Sequence, residues 1–430
     1  MTDALEKQWL ADLPSHWVEK RADFLCDPYR ATVDPSQFND DLVSHYSIPQ
    51  VQETGGSKIE PASDIDSSKL LITTDTLLVS KLNPRKRTIC IAKPHGDYPT
   101  IASGEFVAIK SDKMDRQYAY YLWCSKKVTD RLSAVVQSVT RSHQRVNPAD
   151  IRKLPWKWPS LETQRRIAQF LDEKTARIDG LIKKKRALLE RLAEKRQALI
   201  TNVVTKGLET DAPMRHSGID WLGNIPAHWV RGNIRRFAQM KTGHTPSRSR
   251  PEYWEDCKIP WFTLADVWQL RDGTRWYLEK TAEKISETGL ANSAAELLPK
   301  GTVVFSRTAS IGYSGIMPQP MATTQDFWNW VCGEKLTPEY LLLLFRSMKQ
   351  KFDESTSGST HKTIYQGIAA SLEICVPPIE EQKKIASFVF QRSTEIDKAM
   401  QQLRSSIKLL SEYRSALITS AVTGQIGGLR

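Results

Sequence analysis

Three features of this 430-residue sequence contain residue types that could do chemistry. The first is the run Cys26, Asp27, Pro28, Tyr29. A polar residue followed by two prolines and an aromatic ring can grip a base's amino group through its side chain and a backbone carbonyl, with the ring stacked on the flipped-out base. Here the second proline is missing, and no glycine-rich cofactor loop follows a strand. The second is GSTHKT at 358–363, which ends like a phosphate-binding loop. It lacks the spacer, second glycine and lysine that let backbone amides wrap a phosphate. The third is the thiols and imidazoles. Cys26, Cys90, Cys124, Cys257, Cys332 and Cys375 lie far apart with no Cys-x-x-Cys pair, which argues against a zinc site or a disulfide framework and fits reduced thiols. The histidines form no His-x-x-x-His pattern, and His16 and His228, which recur in Pro-x-His-Trp, read as framework packing at a domain start. The chain is therefore expected to be no enzyme and to bind no metal or cofactor itself.

Charge points elsewhere. Sixty-one Lys and Arg against 49 Asp and Glu leave a formal charge of +12, a surplus that favours a polyanionic partner. The cations cluster with small polar and aromatic residues in short loops: NPRKRT (83–88), TRSHQRV (140–146), TGHTPSRSRPEYW (242–254), SRTASIG (306–312) and GSTHKTI (358–364). Arg and Lys neutralise phosphates and fork onto guanine edges, while hydroxyls and backbone amides position the strand. The DNA-binding candidates are accordingly Arg85, Lys86, Arg87, Arg141, His143, Arg145, Thr242, His244, Thr245, Arg248, Arg250, Tyr253, Arg307, His361 and Lys362. No run of about eighteen apolar residues predicts a membrane span, and the N-terminus has no apolar signal core, so a cytoplasmic location is expected.

What must position these loops is visible as a duplication. QRRIAQFLDEKTARID at 164–179 recurs as QKKIASFVFQRSTEID at 382–397, and ALIT at 198–201 recurs at 416–419, all at an offset of 218. WLADLPSHWV at 9–18 recurs as WLGNIPAHWV at 221–230, at an offset of 212. The 218 offset sets His143 opposite His361 and Val146 opposite Ile364, just ahead of each repeated segment. Walking four then three residues from Ile178 meets Ile182, Lys185, Leu189, Leu192, Arg196, Leu199 and Val203; the second copy gives Ile396, Met400, Leu403, Ile407, Leu410, Arg414, Leu417 and Ala421. Both are narrow coiled-coil seams with an arginine at the same place. Each helix is expected to be the other's antiparallel partner, with Arg196 and Arg414 finding solvent or acidic groups. The remainder is short β-rich runs, turns and most of the tryptophan. The reading is α/β (α+β): a first mixed domain at 1–158, a helix segment at 159–208, a second domain at 209–378 and a helix segment at 379–430, with 205–218 a linker by composition.

The paired segments PSLETQRRIAQF (159–170) and PPIEEQKKIASF (377–388), the SGIDWLGNIPAHW opening (217–229), the ITSAVTGQI ending (418–426) and the Gly-x-Thr-Pro loop at 243–246 followed by Tyr253 and Trp254 together resemble the specificity subunit of type I restriction–modification systems, over nearly the full length. The resemblance implies two target recognition domains, each reading half of a split site in double-stranded DNA, with the paired helices setting the gap. It implies two methyltransferase subunits bringing S-adenosylmethionine, and motor-nuclease restriction subunits using ATP and Mg. A helix over 162–204 would be about 60 Å long and its 178–203 seam about 40 Å, against about 34–36 Å between successive turns on one DNA face. One departure stands out: Asp75 in DTLLVSKL sits where the second half has Gly301 in GTVVFSRT, so that turn is expected to differ. From the residues alone two other classes stay open, a DNA-modifying enzyme without a recognisable motif and a coiled-coil scaffold that does not read DNA.

Overall fold

Both halves of the chain begin and end their globular part on one antiparallel strand pair. In the first half Val18–Arg21 lies against Pro155–Trp158, with Val18 opposite Trp158; in the second Val230–Asn233 lies against Glu373–Val376, with Val230 opposite Val376. The duplication thus survives as hydrogen-bond register. From each pair the chain passes through proline into a long helix, Leu161–Lys206 of 46 residues and Ile379–Val422 of 44, about 69 and 66 Å at 1.5 Å per residue. The computed structural model describes residues 7–27, 29, 31–38, 41–138, 144–209, 211–219, 221–308, 310–348, 352 and 363–429. It divides into two compact units, Met1–Lys185 with Ser405–Arg430, and Arg186–Arg404, so each unit holds the start of one long helix and the end of the other.

The first unit carries a three-stranded sheet in the order Ile89–Ala92, Thr76–Ser80, Phe106–Ile109, and a five-stranded one. Thr76–Ser80 is buried at every position, as a central strand covered on both faces must be. The second unit carries a four-stranded sheet in the order Ala238–Thr242, Phe327–Cys332, Val303–Ser306, Ser314–Ile316, beside a three-stranded one. The three-stranded sheet of the first unit is backed by the helix Arg116–Cys124 and the four-stranded sheet of the second by Pro338–Ser347, which is buried from Tyr340 through Phe345.

Those cores also take in the long helices, and this fixes their direction. In the first unit Ile167 and Leu171 near the start of the first long helix share a core with Ile418, Ala421 and Val422 at the end of the second, while Asp179, further along, meets Arg414, further back, at 2.9 Å. In the second unit Val203 and Val204 share a core with Ile385 and Val389, while Arg196 meets Asp397 at 3.0 Å. In both units the helices run antiparallel. The seam residues Ile178, Ile182 and Met400 are buried, and Leu189, Leu192, Leu199, Ile396, Leu403, Ile407, Leu410 and Leu417 are half-buried. Such partial cover suits a narrow seam whose flanking positions are polar. Each seam arginine has its acidic partner, the aspartate of the repeated Ile-Asp pair.

The repeated motifs are the joints. Gln164, 2 % exposed, donates to the Pro159 carbonyl and accepts from the Asp115 amide at 2.8 Å; Gln382, 0 % exposed, donates to the Pro377 carbonyl and accepts from the Thr337 amide at 2.8 Å. Asp115 and Thr337 are the N-caps of the two sheet-backing helices, so one buried amide ties each long helix to the domain before it. The tyrosines hold the other end: Tyr118 donates to the Val422 carbonyl at 3.2 Å, and Tyr340 to the Val204 carbonyl at 3.3 Å. Past those carbonyls Gly424 (φ 69°) packs on Pro14 and Trp17 so closely that a Cβ would collide with Pro14, and Gly207 (φ 72°) lies against Pro226 and Trp229, where the left-handed backbone itself favours glycine. The Pro-x-His-Trp motif is therefore a helix-end cradle, and His228 adds a 2.7 Å contact to Glu381.

Two readings need adjusting. The 205–218 segment is not all linker, because Met214–His216 pairs with Asn224–Pro226 to form that cradle's outer edge. The turns at Asp75 and Gly301 do differ: Gly301 has φ 86°, whereas Asp75 keeps an ordinary backbone and meets Arg116 at 3.0 Å. All six cysteines are free. Among the described residues no helix is long and apolar enough to cross a membrane.

Candidate nucleic-acid interface

Sheet register decides which loops meet. In the second unit Thr242 pairs with Trp328, Phe305 with Trp328 and Ser306 with Phe327, so the end of Ala238–Thr242, the end of Val303–Ser306 and the start of Phe327–Cys332 share one sheet edge. The loops leaving that edge hold residues 243–246, 307–308 and 324–326. Gly243 lies so close to the Thr323 backbone that any Cβ would collide with it, which is why glycine stands there. The His244 amide donates to the Thr323 carbonyl at 3.0 Å, and the Thr245 hydroxyl to Gln325 Oε1 at 2.8 Å. Asp326 binds the set together. Its carboxylate accepts from the Thr308 and Thr324 hydroxyls, both at 2.9 Å, and its carbonyl accepts from the Arg307 amide at 3.0 Å. The Arg307 guanidinium lies 4.4 Å from the centre of the Trp328 ring.

The first unit has the same joint with different side chains. Val79 pairs with Ile89 and Ser80 with Phe106, so the residues after Ser80 and those before Phe106 share an edge. The returning chain docks there identically in both units: Val146 N–H donates to the Lys81 carbonyl at 2.9 Å, and Ile364 N–H to the Arg307 carbonyl at 2.9 Å. Lys81 thus occupies the place of Arg307. It donates to the Gly104 carbonyl at 2.6 Å, and Glu105 pairs with Arg145. Burial holds the Lys81 ammonium below its ordinary value, with Glu105 opposing.

The remaining candidates divide by what already occupies them. Arg85 and Lys86 are exposed in a single 3-10 turn, Pro84–Lys86, bracketed by Asn83 at φ 46° and Arg87 at φ 50°. Two left-handed non-glycine residues around one basic turn concentrate backbone strain there. Arg87 turns inward to the Ser415 hydroxyl at 2.8 Å. Arg248 stacks 3.9 Å over Trp254 and binds Glu283 at 2.6 Å, and Arg250 meets Glu252 at 3.6 Å. Thr242 is exposed at the strand end, and the Tyr253 carbonyl accepts from Ser286 at 2.6 Å. Arg141, His143, His361 and Lys362 lie outside the described residues. Their neighbours Gln144, Arg145, Thr363 and Ile364 are seated at the two edges just described. Cys26 and Tyr29 are framework: Tyr29 spends its hydroxyl on the Leu71 carbonyl, and burial pushes the Cys26 thiol up to about 12.

Sequence reasoning missed Lys81, Gln325, Asp326 and the Trp328 platform. The available signal was local. In TTQDF at 323–327 a threonine two residues before an aspartate suits a turn closed by the carboxylate, as observed. Cations, hydroxyls and amides gathered at a sheet edge suit contacts to phosphates and base edges.

The family model for the type I restriction modification DNA specificity domain matches residues 226–409. The MjaIX type I restriction enzyme specificity subunit of Methanocaldococcus jannaschii is 32 % identical over 168 residues, 39 % of this chain and 38 % of that one, so the matched stretch spans well under half of the relative. A chain solved in a study of complex assembly and conformational transition of the type I R-M system shares the fold at TM-score 0.74 and 19 % identity, over 96 % of this chain and 99 % of that one. The HsdS subunit from Thermoanaerobacter tengcongensis follows at TM-score 0.50 and 18 % identity, over 96 % and 98 %.

Proposed function

We propose that the chain is a specificity subunit of a type I restriction–modification system and that it reads a split site in double-stranded DNA, one half with each unit. A single observation carries this. Two sheet edges built to one plan, one closing on Lys81 and the other on Arg307, carry different side chains at equivalent places. Duplicated architecture with diverged tips suits two readers of different sequence. The chain supplies recognition and a scaffold. Two methyltransferase subunits would bring S-adenosylmethionine, and motor-nuclease subunits would bring ATP and Mg, in a cytoplasmic assembly.

The test is methylation-sensitive sequencing of a host carrying this chain with its methyltransferase subunits. The expected result is modification at a motif of two short specific halves separated by a fixed non-specific gap. Replacing Arg141, His143 and Arg145 together, or His361 with Lys362, should weaken DNA binding while assembly persists. An unsplit motif, or methylation by the purified chain without partners, would overturn the reading.

A further inference from the structure

We propose that Arg307 reads a guanine in the half-site bound by the second unit, an assignment that rests on the split-site reading above. The backbone of this residue is held on both sides. Its amide is fixed to the Asp326 carbonyl at 3.0 Å and its carbonyl to the Ile364 amide at 2.9 Å. The platform beneath its guanidinium is equally fixed, because Trp328 is 4 % exposed and donates its indole N–H to the Ile364 carbonyl at 2.9 Å. Stacking on an aromatic face uses the flat of a guanidinium and leaves its in-plane donors available.

Among the described residues nothing uses those donors. Arg307 Nε is buried without a hydrogen-bond partner, and among the described residues the guanidinium pairs with no carboxylate or carbonyl. The other cations of these edges differ. Arg145 is paired with Glu105, Arg248 with Glu283, Arg250 with Glu252, and Arg87 is bonded to Ser415. Arg85 and Lys86 are exposed on a turn with no ring contact among those described. Among the described candidates Arg307 alone combines a rigid seat with an idle hydrogen-bonding edge. A fork held in one plane matches the O6 and N7 acceptors of guanine in the major groove, the pairing arginine makes most often with a base. A phosphate contact gains less from such rigidity, because any cation within reach of the backbone serves.

The same geometry predicts an asymmetry. At the equivalent place in the first unit Lys81 has no fork and already donates to the Gly104 carbonyl, so that half-site needs no guanine at the matching position.

The experiment uses the full chain assembled with its methyltransferase subunits and a DNA library randomised through both half-sites. The parent assembly should select an invariant G·C pair in one half. Arg307→Ala should reduce discrimination at that pair alone by about 5- to 140-fold, leaving every other position and the whole first half-site as before. Arg307→Lys, which keeps the charge and loses the fork, should also relax that pair and hold overall affinity better. The retained first half-site reports that both variants are folded. A uniform loss across all sequences with a shallower salt dependence would assign Arg307 to a phosphate and overturn the proposal. Unchanged selection in both variants would also overturn it. A parent assembly that selects no split site would take down the underlying reading together with this one, and that result is distinct from a relaxed or unrelaxed variant.

Discussion

The two seam ion pairs occupy equivalent places, yet their removal should not be equivalent. Arg196 and Asp397 are 11 % and 19 % exposed, whereas Arg414 and Asp179 are 29 % and 51 % exposed. Taking one partner from a buried pair strands the other charge, typically at 3–5 kcal/mol. Arg196 would keep its bonds to the Asp272 and Gly273 carbonyls, which lowers the expected loss for Asp397→Ala to about 2–3 kcal/mol. Asp179→Ala removes a partner that is half in water, where such pairs contribute roughly 0–1 kcal/mol. Burial also raises the Asp397 pKa despite Arg196 beside it, so the charged carboxylate is itself disfavoured there. Replacing both members, as Arg196→Met with Asp397→Leu, should therefore recover most of the stability lost by Asp397→Ala alone. The assay is hydrogen exchange followed by mass spectrometry on the full chain, comparing peptides over 190–204 and 270–276 with peptides over 168–180 and 410–422. Equal losses for the two aspartate variants, or a double variant as unstable as Asp397→Ala, would refute the reasoning that burial sets the difference.

Gln382→Ala should leave the Thr337 amide and the Pro377 and Lys335 carbonyls unsatisfied, costing about 2–3 kcal/mol in urea denaturation. Gln164→Ala, which strands one carbonyl fewer, should cost somewhat less. His45, 7 % exposed and 2.7 Å from Glu60, has its pKa lowered by burial, with the Glu60 contact opposing. A depressed histidine contributes stability above its unfolded pKa near 6.5 and loses it as pH falls through the lower folded value, so exchange protection over 42–61 should drop as pH falls below about 6.5. His45→Gln should flatten that dependence; an equally steep profile in the variant would exclude His45 as its source. Inserting two or three residues after Lys206 should lengthen the preferred gap in a methylation assay on variable-gap DNA while each half-site keeps its bases. A changed half-site with an unchanged gap would contradict that expectation.

Much of this protein was legible as pattern. The 218-residue offset located both long helices, and the 4-3 spacing from Ile178 and Ile396 picked out residues that prove buried or half-buried along the seam. Helical periodicity is a local property, so a repeat of apolar residues states which face must be covered. The paired arginines could likewise be expected to seek acids, since an unpaired buried charge is costly. What sequence could not say was which residues distant in the chain would meet. Gln164 and Gln382 were visible as a repeated letter, but their role depends on Asp115 and Thr337, caps of helices some fifty residues away. The basic loops were legible as a set, while their division into spent and idle cations was not. Arg248 and Arg307 look alike in sequence. One faces Glu283 and the other, among the described residues, a tryptophan ring, because strand register, acting over dozens of residues, sets which loops share an edge. Local pattern therefore determined the elements and the symmetry of the chain, and the tertiary structure alone decided which charged groups remain free to touch a ligand.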